Sequence, residues 1–147
     1  MRIGVGMSGG VDSAYAALLL KEQGHEVVGV TMALLPGQAA AQEAAAVAAR
    51  LDIEHHVLHL EDDFEHHVLT PFADGYANGL TPSPCVVCNR FLKFGAMLDA
   101  LREWGCEKMA TGHYARLEER DGRFHLHRGG CRSWRCWSGC GRREPAC

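Results

Sequence analysis

A glycine-rich turn between a short apolar strand and a helix restricts the fold of this chain more than any other feature. Residues 2–7, RIGVGM, predict a buried strand, and residues 13–23 predict a helix that ends at Gly24. Between them, adjacent glycines let the backbone turn sharply and direct several N–H groups at one point. The helix N-terminus adds the positive end of its dipole. This order of strand, turn and helix predicts a phosphate-binding loop.

The side chains of the turn SGGVDS favour the same interpretation. Ser8 and Ser13 add hydroxyl donors, and Asp12 is a candidate ligand for Mg²⁺. The loop is not a Walker motif, because no Lys-Ser/Thr pair ends it, and the dinucleotide fingerprint G-x-G-x-x-G is absent. A plain tight turn at Gly9 and Gly10, without a ligand, is the alternative.

Strand and helix patterns alternate along most of the chain. This alternation predicts an α/β fold, with a parallel sheet covered by helices on both faces. We expect strands at 26–32, 55–60 and 108–111, helices at 38–51, 62–77 and 89–104, and a hairpin at 116–127 that turns at Asp121-Gly122. Pro71 is a weak point of its helix, and residues 79–84, which hold two prolines, predict a loop.

Composition suits a folded domain with an uneven charge. Of the 147 residues 47% are hydrophobic, and no apolar run approaches the ~18 residues of a membrane span. No secretory signal is visible, so we expect a cytoplasmic location. Residues 1–80 carry 3 basic and 11 acidic residues, whereas residues 81–147 carry 12 and 7. The second half therefore suits a polyanion, although much of its basic excess lies after residue 129.

Seven cysteines in a chain without a secretory signal do not indicate a disulfide framework. Cys85 and Cys88 have the C-x-x-C spacing of a metal or redox pair. Zinc would need two further ligands, and no second C-x-x-C exists. An iron–sulfur cluster on Cys85, Cys88 and a third cysteine is an alternative to a catalytic thiol. Cys106 is expected to be an inert thiol in a helix-to-strand turn.

Three motifs resemble those of known enzymes. The string Ser-Gly-Gly-Val-Asp-Ser at 8–13 resembles the pyrophosphate loop of the N-type ATP pyrophosphatases, which split ATP between its α- and β-phosphates to adenylate a substrate. The segments GLTPSPCVVCNRFLKF at 79–94 and ATGHYAR at 110–116 are similar to motifs of the tRNA-specific 2-thiouridylases, or tRNA-uridine 2-sulfurtransferases. With Met32 at the end of the second strand, the resemblance is collinear from residue 1 to about residue 129.

The resemblance implies a Rossmann-like pyrophosphate-loop domain of the adenine-nucleotide α-hydrolase type, which uses ATP and Mg²⁺. It implies 2-thiolation of the wobble uridine of tRNA, in which O2 is adenylated and then replaced by sulfur from a persulfide on a second, distant cysteine. The partners would be tRNA and a sulfur-carrier protein, with no membrane. Cys88 would be the first catalytic cysteine, and Ser83, Pro84 and Cys85 would sit against the target uridine. The ATP site would be lined by Gly6, Met7, Ser8, Gly9, Gly10, Val11, Asp12, Ser13, Met32 and Gly112.

Further expectations concern individual side chains. A helix capped by Asn89 would place Cys88 just before a helix N-terminus, where the dipole stabilises a thiolate. Position 85 is cysteine and position 83 serine, where the resembled family often has an acidic residue and asparagine. Phe91, Phe94 and Met97 are expected in the core, whereas the His55-His56 and His66-His67 pairs are expected on the surface.

The last residues depart from the resembled family. We expect one catalytic domain at 1–129 and an atypical segment rich in Cys, Arg and Trp at 130–147, with the family's central region and C-terminal β-barrel absent. The hypothesis is an out-of-frame tail, and a zinc knuckle is the alternative. Two other functions stay open: another adenylating ligase of the amidotransferase type, and an inactive ATP-binding remnant.

Overall fold

The structure is a computed structural model that describes residues 1–37, 39–113 and 115–128. The segment 130–147, for which a separate tail is expected, lies outside the described residues. The strands are β1 (Arg2–Gly6), β2 (Glu26–Ala33), β3 (Glu54–His59), β4 (Lys108–Thr111), β5 (Ala115–Arg120) and β6 (Arg123–Arg128). The first two helices are α1 (Val11–Glu22) and α2 (Ala40–Leu51). Two longer helical segments, residues 61–77 and 84–103, follow β3.

The first four strands form one parallel sheet in the order β3-β2-β1-β4. Each of these strands lies within about two residues of its expected position, so the predicted α/β class and parallel sheet are confirmed. The chain leaves β1 toward β2 but reaches β4 on the other side of β1. This reversal of strand order opens a crevice beyond the carboxyl ends of β1 and β4, which is where ligands bind in sheets of this type.

Helices cover both faces of the sheet, as the alternation predicts. On one face α1 and α2 bury small side chains, including Ala17 and Ala44, against Ile3 and Val5. Small residues let these helices approach the sheet closely. The opposite face is covered by segment 84–103, whose buried side chains pack on β2 and β4. Within the described part of the chain, no helix is long and apolar enough to cross a membrane.

Segment 61–77 continues through Pro71 without a break. It consists of an α-helical Glu61–Phe64, a π-helical Glu65–Leu69 and an α-helical Thr70–Ala77. A proline inside a helix cannot donate its backbone hydrogen bond, and its ring clashes with the carbonyl four residues earlier. The wider π turn just before Thr70 is one of the usual ways to accommodate this clash. The predicted weak point therefore takes the form of a widened turn.

Segment 84–103 begins five residues earlier than the sequence predicts. It consists of Pro84–Cys88, a π-helical Asn89–Ala96 and Met97–Glu103. The expected cap at Asn89 is wrong, because Asn89 has α-helical backbone angles and continues the helix. Pro84 takes the first helical position, where its fixed φ fits and no amide hydrogen bond is lost. The loop predicted at 79–84 is confirmed over residues 79–83 and is wrong at Pro84, which begins the helix.

The last described element is the predicted hairpin. β5 and β6 pair antiparallel, with Arg120 opposite Arg123 across the turn. Asp121 and Gly122 have φ angles of 52° and 70°. Two successive positive φ angles match the right-handed twist of the flanking strands, which is why an Asp-Gly pair favours this turn. The hairpin forms its own two-stranded sheet.

Candidate functional site

The glycine-rich loop lies at the carboxyl end of β1, in the crevice where the strand order reverses. Gly9 has a φ of +79°, which only glycine adopts without strain. A Cβ on Gly9 would also lie 2.8 Å from Cβ of Glu43 on α2. Glycine is therefore required here both by the backbone angle and by the contact with α2. The loop passes directly into α1, which begins at Val11.

Ser13 holds the loop in its turn. Its buried hydroxyl donates to the Gly10 carbonyl at 3.0 Å, and the Ser8 amide donates to Ser13 Oγ at 3.3 Å. The hydroxyl proton of Ser13 is thus used inside the loop and is not directed at a ligand. Ser8 is exposed at the crevice. Of the two serines expected to donate to phosphate, Ser8 is the better placed, and Ser13 shapes the loop.

Thr31, on β2, supports the loop through a buried hydrogen bond. This buried side chain donates a hydrogen bond from Oγ1 to the Met7 carbonyl at 2.9 Å, and its Oγ1 lies 2.9 Å from His55 Nε2. A hydroxyl has one proton, so Thr31 must accept from His55, whose Nε2 therefore carries a hydrogen. Burial lowers the pKa of His55, with a smaller contribution from His56, and this favours the neutral ring. The expected surface position of His55 is wrong, because its ring is half-buried under the loop.

Gly112 joins β4 to the loop. A Cβ at this position would lie 2.7 Å from the carbonyl carbon of Asp12 and 2.8 Å from the Ser13 amide nitrogen. These are backbone atoms at the start of α1, so they cannot move aside as a flexible side chain would. The absence of a side chain at residue 112 therefore allows the end of β4 to close against the loop. The structure brings together Asp12, Ser13 and Gly112, which the sequence assigns to one site.

The charge of Lys93 affects the pKa values of both His113 and Cys88. His113 Nδ1 lies 2.5 Å from Thr111 Oγ1. Desolvation and the nearby Lys93 ammonium lower the pKa of His113, in that order. Burial raises the pKa of the Cys88 thiol, Lys93 lowers it, and charge on Cys85 raises it. Lys93 is therefore close enough to both groups to influence their protonation.

The net pKa shift of Cys88 is opposite to the expected one. A helix N-terminus just after Cys88 was expected to favour its thiolate, but the helix begins at Pro84 and Cys88 lies within it. Cys88 packs on an apolar cluster centred on Leu60, Val68 and Leu92. Desolvation in that cluster disfavours the charged form and dominates.

Met32 and Cys88 pack against the same apolar cluster. Leu60 and Leu92 are two of its central members. This contact places Cys88 at the carboxyl ends of β2 and β3, the side of the sheet that carries the loop. A groove lies beside Met32 in the same region, with Leu35, Pro36 and Val57 among its lining residues. Ser83, Pro84 and Cys85 lie one turn before Cys88, at the start of the same helical segment.

Some residues near the site differ from what the sequence predicts. Met97 is buried as expected, but Phe91 and Phe94 are 44% and 38% exposed. The Phe91 ring stacks on His67 with centroids 4.9 Å apart and planes 7° apart, and the Arg90 guanidinium lies 5.3 Å from its centroid. Thr31 is a further residue of the site that was not predicted from the sequence. The sequence does contain a clue to its role, because a lone hydroxyl in the buried strand EVVGVTM requires a hydrogen-bond partner.

The three cysteines of the described residues lie at two opposite edges of the sheet. Cys106 is buried just before β4, at the amino-terminal edge, as expected for an inert thiol. It lies beside Arg2, which lowers its pKa while burial, the larger effect, raises it. Cys85 and Cys88 belong to the opposite edge. Among residues 1–37, 39–113 and 115–128, no group of three His, Cys, Asp or Glu side chains is arranged to hold a metal ion.

Fold and site together define a class of protein: an α/β nucleotide-type domain with a glycine-rich phosphate loop at the switch point of its parallel sheet. Residues 1–133 match the family model described as the tRNA methyl transferase HUP domain. This match spans most of the chain, and the protein belongs to that family.

Relatives with curated names agree with this assignment. The chain is 53% identical over 132 residues to the tRNA-specific 2-thiouridylase MnmA of Pelobacter propionicus, covering 86% of this chain and 37% of that protein. It is 50% identical over 132 residues to MnmA of Trichlorobacter lovleyi, covering 85% and 37%. For MnmA of Clostridium perfringens the identity is 45% over 140 residues, covering 86% and 39%. The chain therefore spans less than two fifths of the length of these relatives.

Solved structures support the fold. A predicted subunit of a tRNA methyltransferase from Methanocaldococcus jannaschii matches with a TM-score of 0.57 and 21% identity, over 84% of this chain and 57% of that one. The NMN synthetase of Francisella tularensis matches with a TM-score of 0.51 and 20% identity, over 74% and 43%. At these identities the likeness extends to the fold alone.

Proposed function

We propose that this chain carries the ATP-dependent step of tRNA uridine 2-thiolation, in which ATP adenylates uridine O2 and sulfur then replaces it. The observation that carries the proposal is the closure of Gly112 on Asp12 and Ser13, with His113, Lys93 and Cys88 following along the same crevice. A phosphate loop and a cysteine on one side of the sheet are what adenylation followed by sulfur transfer requires. The names of the relatives point to the same reaction.

The phosphate end of the site is the loop from Gly6 to Ser13. We propose that its backbone N–H groups and the Ser8 hydroxyl bind the phosphates of ATP, while the N-terminus of α1 supplies positive potential. Asp12 is the acidic residue in the first turn of α1. One carboxylate together with substrate phosphates is a donor set that suits Mg²⁺, which would neutralise phosphate charge there. Gly112 lets the end of β4 pack directly against the start of α1.

The base end of the ATP site is the groove beside Met32. Its lining includes Leu35, Pro36 and Val57, which offer apolar contact to a flat ring. We propose that the adenine lies there, along the backbone of Met32 at the end of β2. Apolar walls with few polar groups are typical of sites that bind a purine.

The sulfur-transfer end is the start of segment 84–103. We propose that Ser83, Pro84 and Cys85 contact the target uridine and that Cys88 is the catalytic cysteine. Adenylation is needed because the uridine oxygen is a poor leaving group, whereas AMP leaves readily. Thiols can pass through persulfide and disulfide states, which makes cysteine suited to deliver sulfur. The partners would be tRNA and a protein that supplies persulfide sulfur, in the reducing cytoplasm.

Exposed aromatic and basic groups next to Cys88 suit an RNA partner. Phe91 is exposed beside Arg90, and its ring already stacks on His67. Aromatic and guanidinium planes are the surfaces on which unpaired RNA bases stack. We propose that this face of the molecule receives the tRNA.

An iron–sulfur cluster on Cys85 and Cys88 stays a prediction with less support. It needs a third ligand, and the remaining described cysteine, Cys106, lies at the opposite edge of the sheet. Iron analysis and visible absorbance of anaerobically purified protein test it directly. A stoichiometric iron content that is lost in Cys85→Ser would favour the cluster.

One assay tests the proposed function. The protein is incubated with ATP and Mg²⁺, with and without unmodified tRNA, and AMP and pyrophosphate are measured. We expect both products only when tRNA is present, and we expect Asp12→Asn to abolish them. Cys88→Ser should still form them, because adenylation precedes sulfur transfer. Pyrophosphate release that needs ammonia or glutamine instead of tRNA would identify another adenylating ligase, and ATP binding without products would identify a remnant.

A further inference from the structure

Glu43, in the first turn of α2, places a carboxylate against the glycine-rich loop. A Cβ on Gly9 would lie 2.8 Å from Cβ of Glu43 and 3.0 Å from its Oε2. The next residue of the helix, Ala44, is fully buried in the core with Ile3 and Val5. This packing holds the backbone of Glu43 in place beside the loop. The carboxylate of Glu43 therefore lies next to the backbone that we propose binds the phosphates of ATP.

The sequence on either side of the loop supplies negative charge alone. Asp12 is the one charged residue at positions 3–20, and Glu43 is the one charged residue at positions 27–49. Both lie in the first turn of a helix, α1 for Asp12 and α2 for Glu43. The first basic residue after the loop, Lys21, lies in the last turn of α1 and donates hydrogen bonds to backbone carbonyls at the end of α2. Lys21 is therefore at the far end of α1 from the loop.

The charge of Glu43 is not offset by a neighbouring cation. Within the part of the chain that the structure describes, no Lys, Arg or His side chain forms an ion pair with it. Lys93 affects the pKa values of Cys88 and His113 instead. A Walker motif, by contrast, brings a lysine to the phosphates. A fully ionised triphosphate at this loop would thus meet a carboxylate, without the loop lysine that a Walker motif offers.

We propose that Glu43 determines which ionic form of the nucleotide the loop accepts: its carboxylate repels free ATP and admits the magnesium complex. Repulsion between like charges grows with the charge of the ligand, and the magnesium complex carries less net negative charge than free ATP. The nucleotide then enters together with the cation that neutralises its phosphates. This inference rests on the proposed function for the identity of the ligand, and it adds the residue that sets the ligand's ionic form.

A purely structural role of Glu43 would leave a different signature. An acidic residue in the first turn stabilises a helix through its dipole, and the contact of Cβ with Gly9 shapes the loop whatever the charge of the side chain. Glu43→Gln keeps the length and the Cβ of the side chain and removes its charge. Glu43→Asp keeps the charge and shortens the side chain by one methylene. The two variants therefore separate charge from shape.

Calorimetric titration of the full chain with ATP tests the role of the charge. One titration contains excess Mg²⁺ and the other contains EDTA, both at low salt and without tRNA. In Glu43→Gln we expect free ATP to bind at least about fivefold more tightly than in the wild type, and the affinity for the magnesium complex to stay within about twofold. In Glu43→Asp we expect the affinity for free ATP to rise less than in Glu43→Gln. Added salt should reduce the gain of Glu43→Gln, because the charge of an exposed carboxylate is screened.

Glu22→Gln is the matched control. Glu22 is an exposed residue at the end of α1 that lies away from the loop, and its substitution changes the net charge by the same amount. We expect its affinities for free ATP and for the magnesium complex to stay within about twofold of the wild type. Urea denaturation checks that all three variants fold, since Glu43→Gln also removes a favourable charge from the first turn of α2.

Three results would overturn the proposal. They are an affinity of Glu43→Gln for free ATP no higher than that of the wild type, an equal gain in Glu22→Gln, and a loss of affinity for the magnesium complex alone, which would make Glu43 a metal ligand. None of them bears on whether ATP and tRNA give pyrophosphate, so the proposed function succeeds or fails separately. Conversely, the expected shift in a protein that binds ATP and forms no pyrophosphate would support the role of Glu43 and remove the proposed reaction. A wild type that binds neither form of ATP would overturn both.

Discussion

Gly112 and Thr31 show how single residues shape the loop. Gly112 leaves room for the backbone of Asp12 and Ser13, and Thr31 holds the Met7 carbonyl from beneath. Neither contributes a charge or a nucleophile. Their effect is to set the position of the groups that do.

We expect Gly112→Ala to weaken ATP binding by at least about tenfold and to lower the free energy of unfolding by about 1–3 kcal/mol. The added methyl would meet backbone atoms of Asp12 and Ser13 at 2.7–2.9 Å and would push β4 away from the loop. Calorimetric titration with ATP and urea denaturation measure the two effects.

Gly4→Ala is the matched control for this variant. Its Cβ would lie 2.3 Å from Cδ2 of Leu101, in the core and away from the loop. We expect it to lose stability while ATP affinity of the folded protein stays within about twofold, since distant sites act independently. An equal loss of ATP affinity in both variants would show that closure of Gly112 on the loop is not what matters.

We expect Thr31→Val to lower the free energy of unfolding by about 1–3 kcal/mol, because the Met7 carbonyl and His55 Nε2 both lose a buried partner. Urea denaturation measures the change. Thr70→Val, at an exposed site, is the control and should shift stability by less than about 0.5 kcal/mol. A change in Thr31→Val no larger than in this control would contradict the role of the hydroxyl.

The shape of helical segment 84–103 brings the charge of Lys93 close to the Cys88 thiol. Its middle part, Asn89–Ala96, is π-helical. Turns that close from residue i to residue i+5 bring residues five apart to one side of the helix, whereas an α-helix would not. Cys88 and Lys93 are five apart, which accounts for the influence of Lys93 on the Cys88 thiol.

We expect Lys93→Met to raise the pKa of Cys88 and to raise that of His113, because the ammonium lowers both. Removing a positive charge disfavours the thiolate and favours the imidazolium. The Cys88 effect is measured in a Cys85→Ser background as the pH dependence of alkylation of the tryptic peptide of residues 51–90, in which Cys88 is then the one cysteine. The His113 effect is measured by proton NMR titration. Lys108→Met, at the opposite edge of the sheet, should change neither midpoint; matching shifts in the two variants would rule out a local effect of Lys93.

At the scale of the whole molecule, acidic and basic residues are unevenly distributed along the chain. The acidic first half supplies most of the sheet and α1, whereas the helical segment with Cys88 also carries Arg90, Phe91 and Lys93. A polyanion approaching this segment would reach the proposed sulfur-transfer end first. The proposed ATP loop lies between β1 and α1, on the same side of the sheet.

We expect tRNA binding to weaken steeply with salt and Arg90→Ala to reduce the salt slope by about one, as for the loss of one phosphate contact. Fluorescence anisotropy with unmodified tRNA at several salt concentrations measures the slope. Arg102→Ala is the matched control, since Arg102 lies on the same helical segment but pairs with Asp99 far from Cys88. A slope unchanged in Arg90→Ala, or reduced equally in Arg102→Ala, would contradict a specific contact at Arg90.

Local sequence patterns predicted much of the fold correctly. The strands, α1 and α2, the glycine-rich turn and the Asp-Gly hairpin could all be read from the sequence. Each depends on hydrophobic period, on glycine at positive φ or on backbone limits that act over a few residues. The alternation of these elements was also sufficient for the class of fold, because parallel strands joined by helices have few arrangements.

Tertiary structure alone decided how the site is assembled. Gly112 meets Asp12 across a hundred residues of chain, Thr31 meets His55 beneath the loop, and Lys93 reaches both Cys88 and His113. These contacts depend on which strands are neighbours and on a π turn that no local periodicity reveals. The sequence by itself determined that a phosphate loop and a C-x-x-C pair are present; packing determined that they share one edge of the sheet and that the Cys88 thiol is shielded there.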